Sequence, residues 1–352
     1  MTNQFWSPIV QRLKPYQAGE QPDFADMVKL NTNEHPYGPS PKVLEALHAA
    51  IGDQLRLYPD PDSSRLRAAL SNYFSLPSDH FFIGNGSDEV LAHVFNGLLN
   101  HPQPLLFPDI TYSFYKTYTS LYGIDYKTIP LNSAFQINLS DYQQSSGAII
   151  FANPNAPTGV YLPLDHLSGY LDDHPDVLVV VDEAYIDFGG QSAIALVHKY
   201  PNLLVVHTFS KSRALAGLRV GYAVGQPHLI RALERIKNSF NSYPLDRLAQ
   251  VAAEAALLDQ TWFSNVTAKI IADRDALARS MSQLGFDVLP SAANFIFVRH
   301  QHANAARIAE SLRQQHVFVR HFNQERVLEW LRITVGQPAQ HQRLLQVLQT
   351  FL

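Results

Sequence analysis

The chain of 352 residues contains no cysteine, which excludes disulfides, thiolate nucleophiles and cysteine-ligated metals. It is also poor in charge. Charged residues make up 16%, the formal net charge is −4, and no block of like charges occurs. A nucleic-acid partner or an anionic membrane surface would call for a basic patch, so neither is expected. No apolar run approaches the roughly 18 residues of a membrane span. The opening segment, Met1 to Pro8, lacks a basic stretch followed by an apolar one, so no secretory signal is read and a cytoplasmic location is expected. The 15 histidines show no metal-ligand spacing such as HExxH, and no metal is expected.

What is present is apolar residue, 46% of the chain, enough for a sizeable core. The length suggests about two domains. Pro8, Pro15, Pro22, Pro36, Pro39 and Pro41 punctuate the first 40 or so residues, so residues 1–40 read as an arm rather than a long helix. Helical periodicity starts near Pro41, with Val43, Leu44, Leu47 and Ile51 on one face. A second helix is predicted from Ser63 to Phe74, and a third from Ser87, where Asp88 and Glu89 supply acids to the first turn.

Three apolar runs follow: 148–151, 177–181 and 203–206. They recur at roughly the length of a βαβ unit. Each is continuous rather than alternating, as strands buried on both faces are. Each ends in polar residues: Asn153-Pro154-Asn155, Asp182-Glu183, and Thr208 through Ser210-Lys211. Ligands of open α/β sheets bind beyond the carboxyl ends of the strands, so the three clusters are expected to meet at one pocket. After Gly285, strands at 286–289, 294–298, 317–319 and 331–335, a helix at 303–315 and a closing helix from Ala339 read as a smaller α/β domain. The expected division is an arm at 1–40, a large domain at 41–245 and a small one at 246–352.

Lys211 is the leading candidate for chemistry. A neutral amine set in partly buried surroundings is the nucleophile that bonds aldehydes. A snorkelling surface lysine is the ordinary alternative. Arg219, eight residues on and after the apolar Ala214-Leu215-Ala216-Gly217-Leu218, suits a phosphate-bearing aldehyde, because guanidinium grips phosphate oxygens. Asp182 ends the most apolar strand, and a buried carboxylate needs a partner. A protonated pyridine nitrogen would be one; a simple helix-capping role is the alternative. Tyr185 is placed to bond a cofactor's phenolic oxygen, or is a half-buried aromatic. The loop from Gly84 through Gly86, Ser87 and Asp88 to Glu89 opens a helix, where backbone amides bind phosphate. It lacks the third glycine of a dinucleotide fingerprint and no Walker lysine follows, which leaves a nicotinamide dehydrogenase without support. Tyr112 and Tyr58 are candidates to lie against a flat ring. Arg320 and Arg332 fall at strands with apolar neighbours, and partly buried arginines need anions, whether a protein carboxylate or a substrate.

In this order and spacing the segments resemble the histidinol-phosphate aminotransferases among the fold type I pyridoxal-phosphate enzymes. The resemblance covers nearly the whole chain and rests on Leu30 to Glu34, Tyr58-Pro59, Gly84 to Glu89, Asn153 to Gly159, Val181 to Tyr185, Thr208 to Tyr222, Tyr243 to Leu245 and Leu331 to Gly336. It implies a large domain with a mostly parallel central sheet flanked by helices, a smaller α/β domain, and a homodimer with shared sites. It implies pyridoxal 5'-phosphate held by Lys211 as a Schiff base, with Asp182 on the ring nitrogen, Tyr185 on the phenolic oxygen and Tyr112 stacked on the ring. Gly86, Ser87, Asp88, Ser210 and Arg219 would surround the phosphate, with Tyr58 reaching in from a second subunit. Arg320 and Arg332 would hold the substrate anion, covered by Tyr16 and Asn33 from the arm. The implied reaction moves an amino group between histidinol phosphate and 2-oxoglutarate, giving imidazole acetol phosphate and glutamate. An aromatic amino-acid aminotransferase or a phosphothreonine decarboxylase is the alternative on the same scaffold.

One departure stands out. The family pattern is Pro-Asn-Asn-Pro-Thr-Gly, with the second asparagine on the phenolic oxygen. Here the segment is Pro154-Asn155-Ala156-Pro157-Thr158-Gly159. Either Asn155 takes that role through a shifted loop, or Tyr185 carries it alone; Asn155 is the expectation.

Overall fold

The computed structural model describes residues 4–16, 19–22 and 26–352. The arm holds a short helix, α1 (Pro8–Arg12), and a strand, β1 (Val28–Leu30). Helix α2 (Pro41–Ala50) starts where the sequence places it: Pro41 fits the first helical position, and Ser40 Oγ accepts from the Val43 N–H at 3.3 Å. Its predicted apolar face is only partly buried. Val43 is in the core, whereas Leu44 and Ile51 are exposed. Helix α3 (Ser64–Phe74) follows.

The large sheet then forms from β2 (Phe81–Asn85), β3 (Leu105–Pro108), β4 (Tyr126–Ile129), β5 (Ala148–Ala152), β6 (Leu178–Asp182), β7 (Leu203–Thr208) and β8 (Val220–Gly225). Between them run α4 (Gly86–Gly97), α5 (Phe114–Tyr122) and α6 (Leu164–Asp173). The strand order is β2-β8-β7-β6-β5-β3-β4. Strands β7, β6, β5, β3 and β4 are parallel to one another, and β8 is antiparallel to both β7 and β2.

The three continuous apolar runs are β5, β6 and β7, adjacent and central. Their residues alternate between two cores. Ile149, Phe151, Val179, Val181, Leu203 and Val205 pack on one face of the sheet. Ile150, Val180, Leu204 and Val206 pack on the other. Helices α2, α3 and α6 cover the first face, and α4, α5 and α7 (Pro227–Phe240) cover the second. With apolar neighbours on both sides, no position in these strands faces water, which is why period-2 alternation is missing.

Helix α8 (Arg247–Leu258) presents Ala249, Ala252, Ala253 and Ala256 to the core that holds Val43, Leu66 and Leu70. It therefore packs with the large sheet, although it follows residue 245. The long α9 (Gln260–Gln283) carries Ile270 against Phe188 and, further on, Leu277 and Met281 into a separate core. That second core belongs to a sheet of order β1-β11-β12-β10-β9, built from β9 (Phe286–Val288), β10 (Phe295–His300), β11 (Val317–His321), β12 (Leu331–Thr334) and the arm's β1. Helices α10 (Ala305–Gln314) and α11 (Pro338–Phe351) bury Ile308, Leu312 and Leu344 against it. Because β1 pairs with β11 in parallel, the arm is stitched into the small sheet and its next residues pass over the ends of β6 and β7.

Candidate active site

The register of the central strands brings their carboxyl ends level: Ala152 pairs with Asp182, and Asp182 with Val206. Above these ends lies a pocket lined by Asp182, Tyr185, Ser210 and Lys211 from the strand ends, by Ser87 and Asp88 from the first turn of α4, by Tyr112 and Arg219 from flanking loops, by Tyr16 and Asn33 from the arm, and by Arg320 and Arg332 from the small sheet.

Lys211 follows β7 in a turn fixed on both sides. Thr208 Oγ1 accepts from the Ser210 N–H at 3.1 Å and donates to Ser210 Oγ at 3.0 Å. Ser212 donates its hydroxyl to Asp187. Arg213 donates to the Ala256 carbonyl at 2.8 Å and lies 3.5 Å from the centre of the Phe263 ring. With its neighbours anchored, Lys211 projects into the pocket; its Nζ lies 3.5 Å from the Thr32 carbonyl and 5.8 Å from the centre of the Tyr185 ring.

Asp182 is 5% exposed. Its carboxylate accepts from the Tyr115 hydroxyl at 3.0 Å and from the Ala184 N–H at 3.3 Å. Burial raises its pKa to about 6, against the lowering effect of the Tyr115 hydrogen bond. No arginine or lysine forms an ion pair with it among the described residues, so the carboxylate is short of a cation, the property that suits it to a protonated ring nitrogen. Tyr115 was missed at the sequence level: it is one of 16 tyrosines, and only the packing of α5 onto β6 singles it out.

The β2–α4 turn supplies an anion cradle. Gly86 has φ 81, and a Cβ there would lie 2.6 Å from the Arg219 guanidinium, so the turn requires glycine. Gly221 lets β8 approach the turn equally closely; a Cβ would sit 2.3 Å from the Ser87 nitrogen. Arg219 donates to Asp88 at 2.8 Å and to Ser210 Oγ at 3.5 Å, and Tyr112 donates to Asp88 at 3.0 Å. Ser87, Ser210 and Arg219 thus border one volume at the start of α4, where free N–H groups and the helix dipole favour phosphate.

On the opposite wall, Arg332 donates to the Asn31 carbonyl at 3.0 Å while its Nε has no partner among the described residues. Its guanidinium lies 5.4 Å from the centre of the Phe295 ring, and Arg320 lies 5.8 Å from that of Phe322. Neither arginine forms an ion pair among the described residues. Burial, together with the like charge of Arg320, lowers the pKa of Arg332 from its usual value. Two such arginines facing one cavity define a place for an anion.

Two expectations change. Asn155 does not reach the pocket: its amide donates to the Ile110 carbonyl at 2.9 Å and to Thr158 Oγ1 at 3.2 Å, so its donors hold the loop together. Ala156 lines the pocket in its place. Asn153 likewise turns to backbone, bonding the Leu162 N–H and carbonyl, so the first of the three polar clusters lends the pocket its backbone shape rather than its amides. Asn33 lines the pocket, as expected of the arm, and donates to the Tyr185 hydroxyl at 2.9 Å. Tyr58, expected to serve a second subunit's site, lies outside this pocket. It is 79% exposed, stacks on Tyr243 with centroids 4.8 Å apart, and its carbonyl accepts from Arg247 at 3.0 Å.

A strand-end lysine, a buried carboxylate without a cation, a phosphate cradle and an aromatic flank are the parts that pyridoxal phosphate requires. The fold and this pocket together define the class of the aminotransferases, and the family described as "Aminotransferase class I and II" matches residues 25–348. The chain is 58% identical to the histidinol-phosphate aminotransferase of Pseudomonas syringae, covering 98% of each chain. It is 54% identical to that of Acetobacter pasteurianus, covering 99% of this chain and 98% of the relative. A crystal structure of the Sinorhizobium meliloti histidinol-phosphate aminotransferase in complex with pyridoxal-5'-phosphate superposes with a TM-score of 0.87 at 25% identity, covering 99% of this chain and 98% of that one. The chain belongs to the histidinol-phosphate aminotransferase family.

Proposed function

We propose that this chain binds pyridoxal phosphate and transaminates histidinol phosphate in histidine biosynthesis, with glutamate and 2-oxoglutarate as the second pair. The observation that carries the reading is the meeting within one pocket of Lys211 and Asp182 with two arginines, none of the last three ion-paired among the described residues. When bound, pyridoxal phosphate supplies an aldehyde that takes up the amino group and a protonated ring that withdraws electrons from the carbon losing its proton. Asp182 would keep the ring nitrogen protonated, and the Lys211 amine would hold the aldehyde carbon and move the proton at the donor's α-carbon. Ser87, Ser210 and Arg219 hold the cofactor phosphate at the start of α4, and Tyr112 flanks the ring. Tyr185 bonds the phenolic oxygen. Arg320 and Arg332 take the substrate anion, with Tyr16 above it.

The exposed Ile51, Leu55, Leu57, Tyr58 and Phe240 support a homodimer, in which Tyr58 completes the neighbouring subunit's site. The packing of α8 supports a boundary between the large and small domains within α9. No helix among the described residues is long and apolar enough to cross a membrane, and a cytoplasmic location accords with a biosynthetic role.

A panel of amino donors tests the substrate. Turnover with histidinol phosphate should exceed that with phenylalanine by about 100-fold in kcat/KM, the discrimination that a desolvated charged contact gives. Preference for phenylalanine, or release of carbon dioxide from phosphothreonine, would assign the rival activities.

A further inference from the structure

A hydrogen-bond chain at the edge of the pocket has no part in the steps above. Asn33 is 1% exposed and sits in the left-handed backbone region, with φ 57. Its N–H donates to Thr334 Oγ1 at 3.0 Å, and its carbonyl accepts from Asn294 Nδ2 at 3.0 Å. Since the Thr334 oxygen accepts that bond, its own proton is available to Asn33 Oδ1, 3.2 Å away. The side-chain oxygen of Asn33 is thereby committed to Thr334. Its nitrogen must face Tyr185, to whose hydroxyl it donates at 2.9 Å. The Tyr185 oxygen is an acceptor in that bond, so its proton is left to point into the pocket.

The rest of the Tyr185 ring is held by apolar groups. Ala156, Ala293 and Phe295 pack around it, with the Phe295 ring edge-on at 5.1 Å between centroids. No side-chain amide stands at Ala156 to share the work of a donor. Thr334 also sits two residues beyond Arg332 on β12, on the same face of that strand.

We infer that Thr334 is a positioning residue for the reaction: through Asn33 it fixes Tyr185 as the hydrogen-bond donor to the cofactor's phenolic oxygen, next to an alanine that offers none. The inference rests on the placing of Tyr185 beside that oxygen. A donor there draws negative charge off the oxygen and weakens its hold on a proton at the adjacent lysine nitrogen. Loss of the donor raises the pH at which that proton leaves.

The test is the visible absorbance of the holoenzyme as a function of pH. Thr334→Val keeps the shape of the side chain and removes the hydroxyl; Asn33→Gly removes the amide and keeps the left-handed backbone accessible. Each should raise the midpoint by about half a pH unit or more, while Thr334→Ser, which restores the hydroxyl, should keep the wild-type midpoint. Should Thr334→Val fail to fold, Asn33→Gly decides the matter. Tyr185→Phe is the reference. If it leaves the midpoint in place, the placing of Tyr185 is wrong and the inference falls with it. If it raises the midpoint while Thr334→Val and Asn33→Gly do not, the inference alone is overturned.

Discussion

The fully buried Tyr115 donates its hydroxyl to the Asp182 carboxylate across 3.0 Å, which leaves at the pocket wall a buried acid with a donor but no arginine or lysine partner among the described residues. The same isolation that would suit Asp182 to a ring nitrogen makes it a liability in the cofactor-free protein.

The first prediction follows from that liability. The Asp182 carboxyl is raised from 3.8 to about 6 in the folded chain. Between these values the folded state holds more protons than the unfolded one, so the stability of the apoprotein falls as pH rises through the window and stays at its lower level above about 6. Asp182→Asn removes the effect and can still accept from Tyr115. Thermal unfolding of the apoproteins should show the variant more stable at pH 7 to 8, by up to about 3 kcal/mol, with the gap closing towards pH 4 to 5. Added pyridoxal phosphate should stabilise the wild type more than the variant. A variant no more stable than the wild type at pH 8 would show that Asp182 is not isolated.

A second prediction concerns the small-sheet arginines. Arg332→Gln removes a cation whose Nε has no partner among the described residues. A charge-assisted bond of this kind is worth about 1.5–3 kcal/mol, so kcat/KM for the phosphate substrate should fall by about 10- to 100-fold. The absorbance of the bound cofactor should stay unchanged, since Arg332 lies across the pocket from Asp182. Unaltered kcat/KM would remove Arg332 from the substrate site.

Much of the site was legible because strand ends are marked in the sequence. Continuous apolar runs announce strands buried on both faces, and the residue after each run falls on the ligand side, which placed Asp182 and Lys211 before any coordinates. Asn155 escaped the same logic. Which way a loop side chain turns depends on where backbone carbonyls such as that of Ile110 lie, and sequence spacing does not encode them. Tyr115 and Thr334 were invisible for a related reason. Their value lies in one bond each to a residue distant in the chain, Asp182 for the first and Asn33 for the second. The packing of α8 was not legible in composition: its alanine face reads the same against either domain, and only the facing Leu66 and Leu70 choose between them.

A third prediction concerns assembly. Sedimentation at micromolar concentration should give a dimer, because Tyr58 and Phe240 are 79% and 77% exposed on a single chain. Tyr58→Phe should weaken pyridoxal phosphate binding by about tenfold, the worth of one hydrogen bond to a charged group, without dissociating the dimer. A monomer with full activity would contradict the shared site.

The central claim is that Lys211 carries the cofactor. Borohydride reduction of the purified holoenzyme followed by peptide mass spectrometry tests it most directly. The account predicts loss of the yellow colour and a pyridoxyl-phosphate adduct on the peptide containing Lys211, absent in Lys211→Ala. An adduct on another lysine, or near-native transamination by Lys211→Ala, would contradict it.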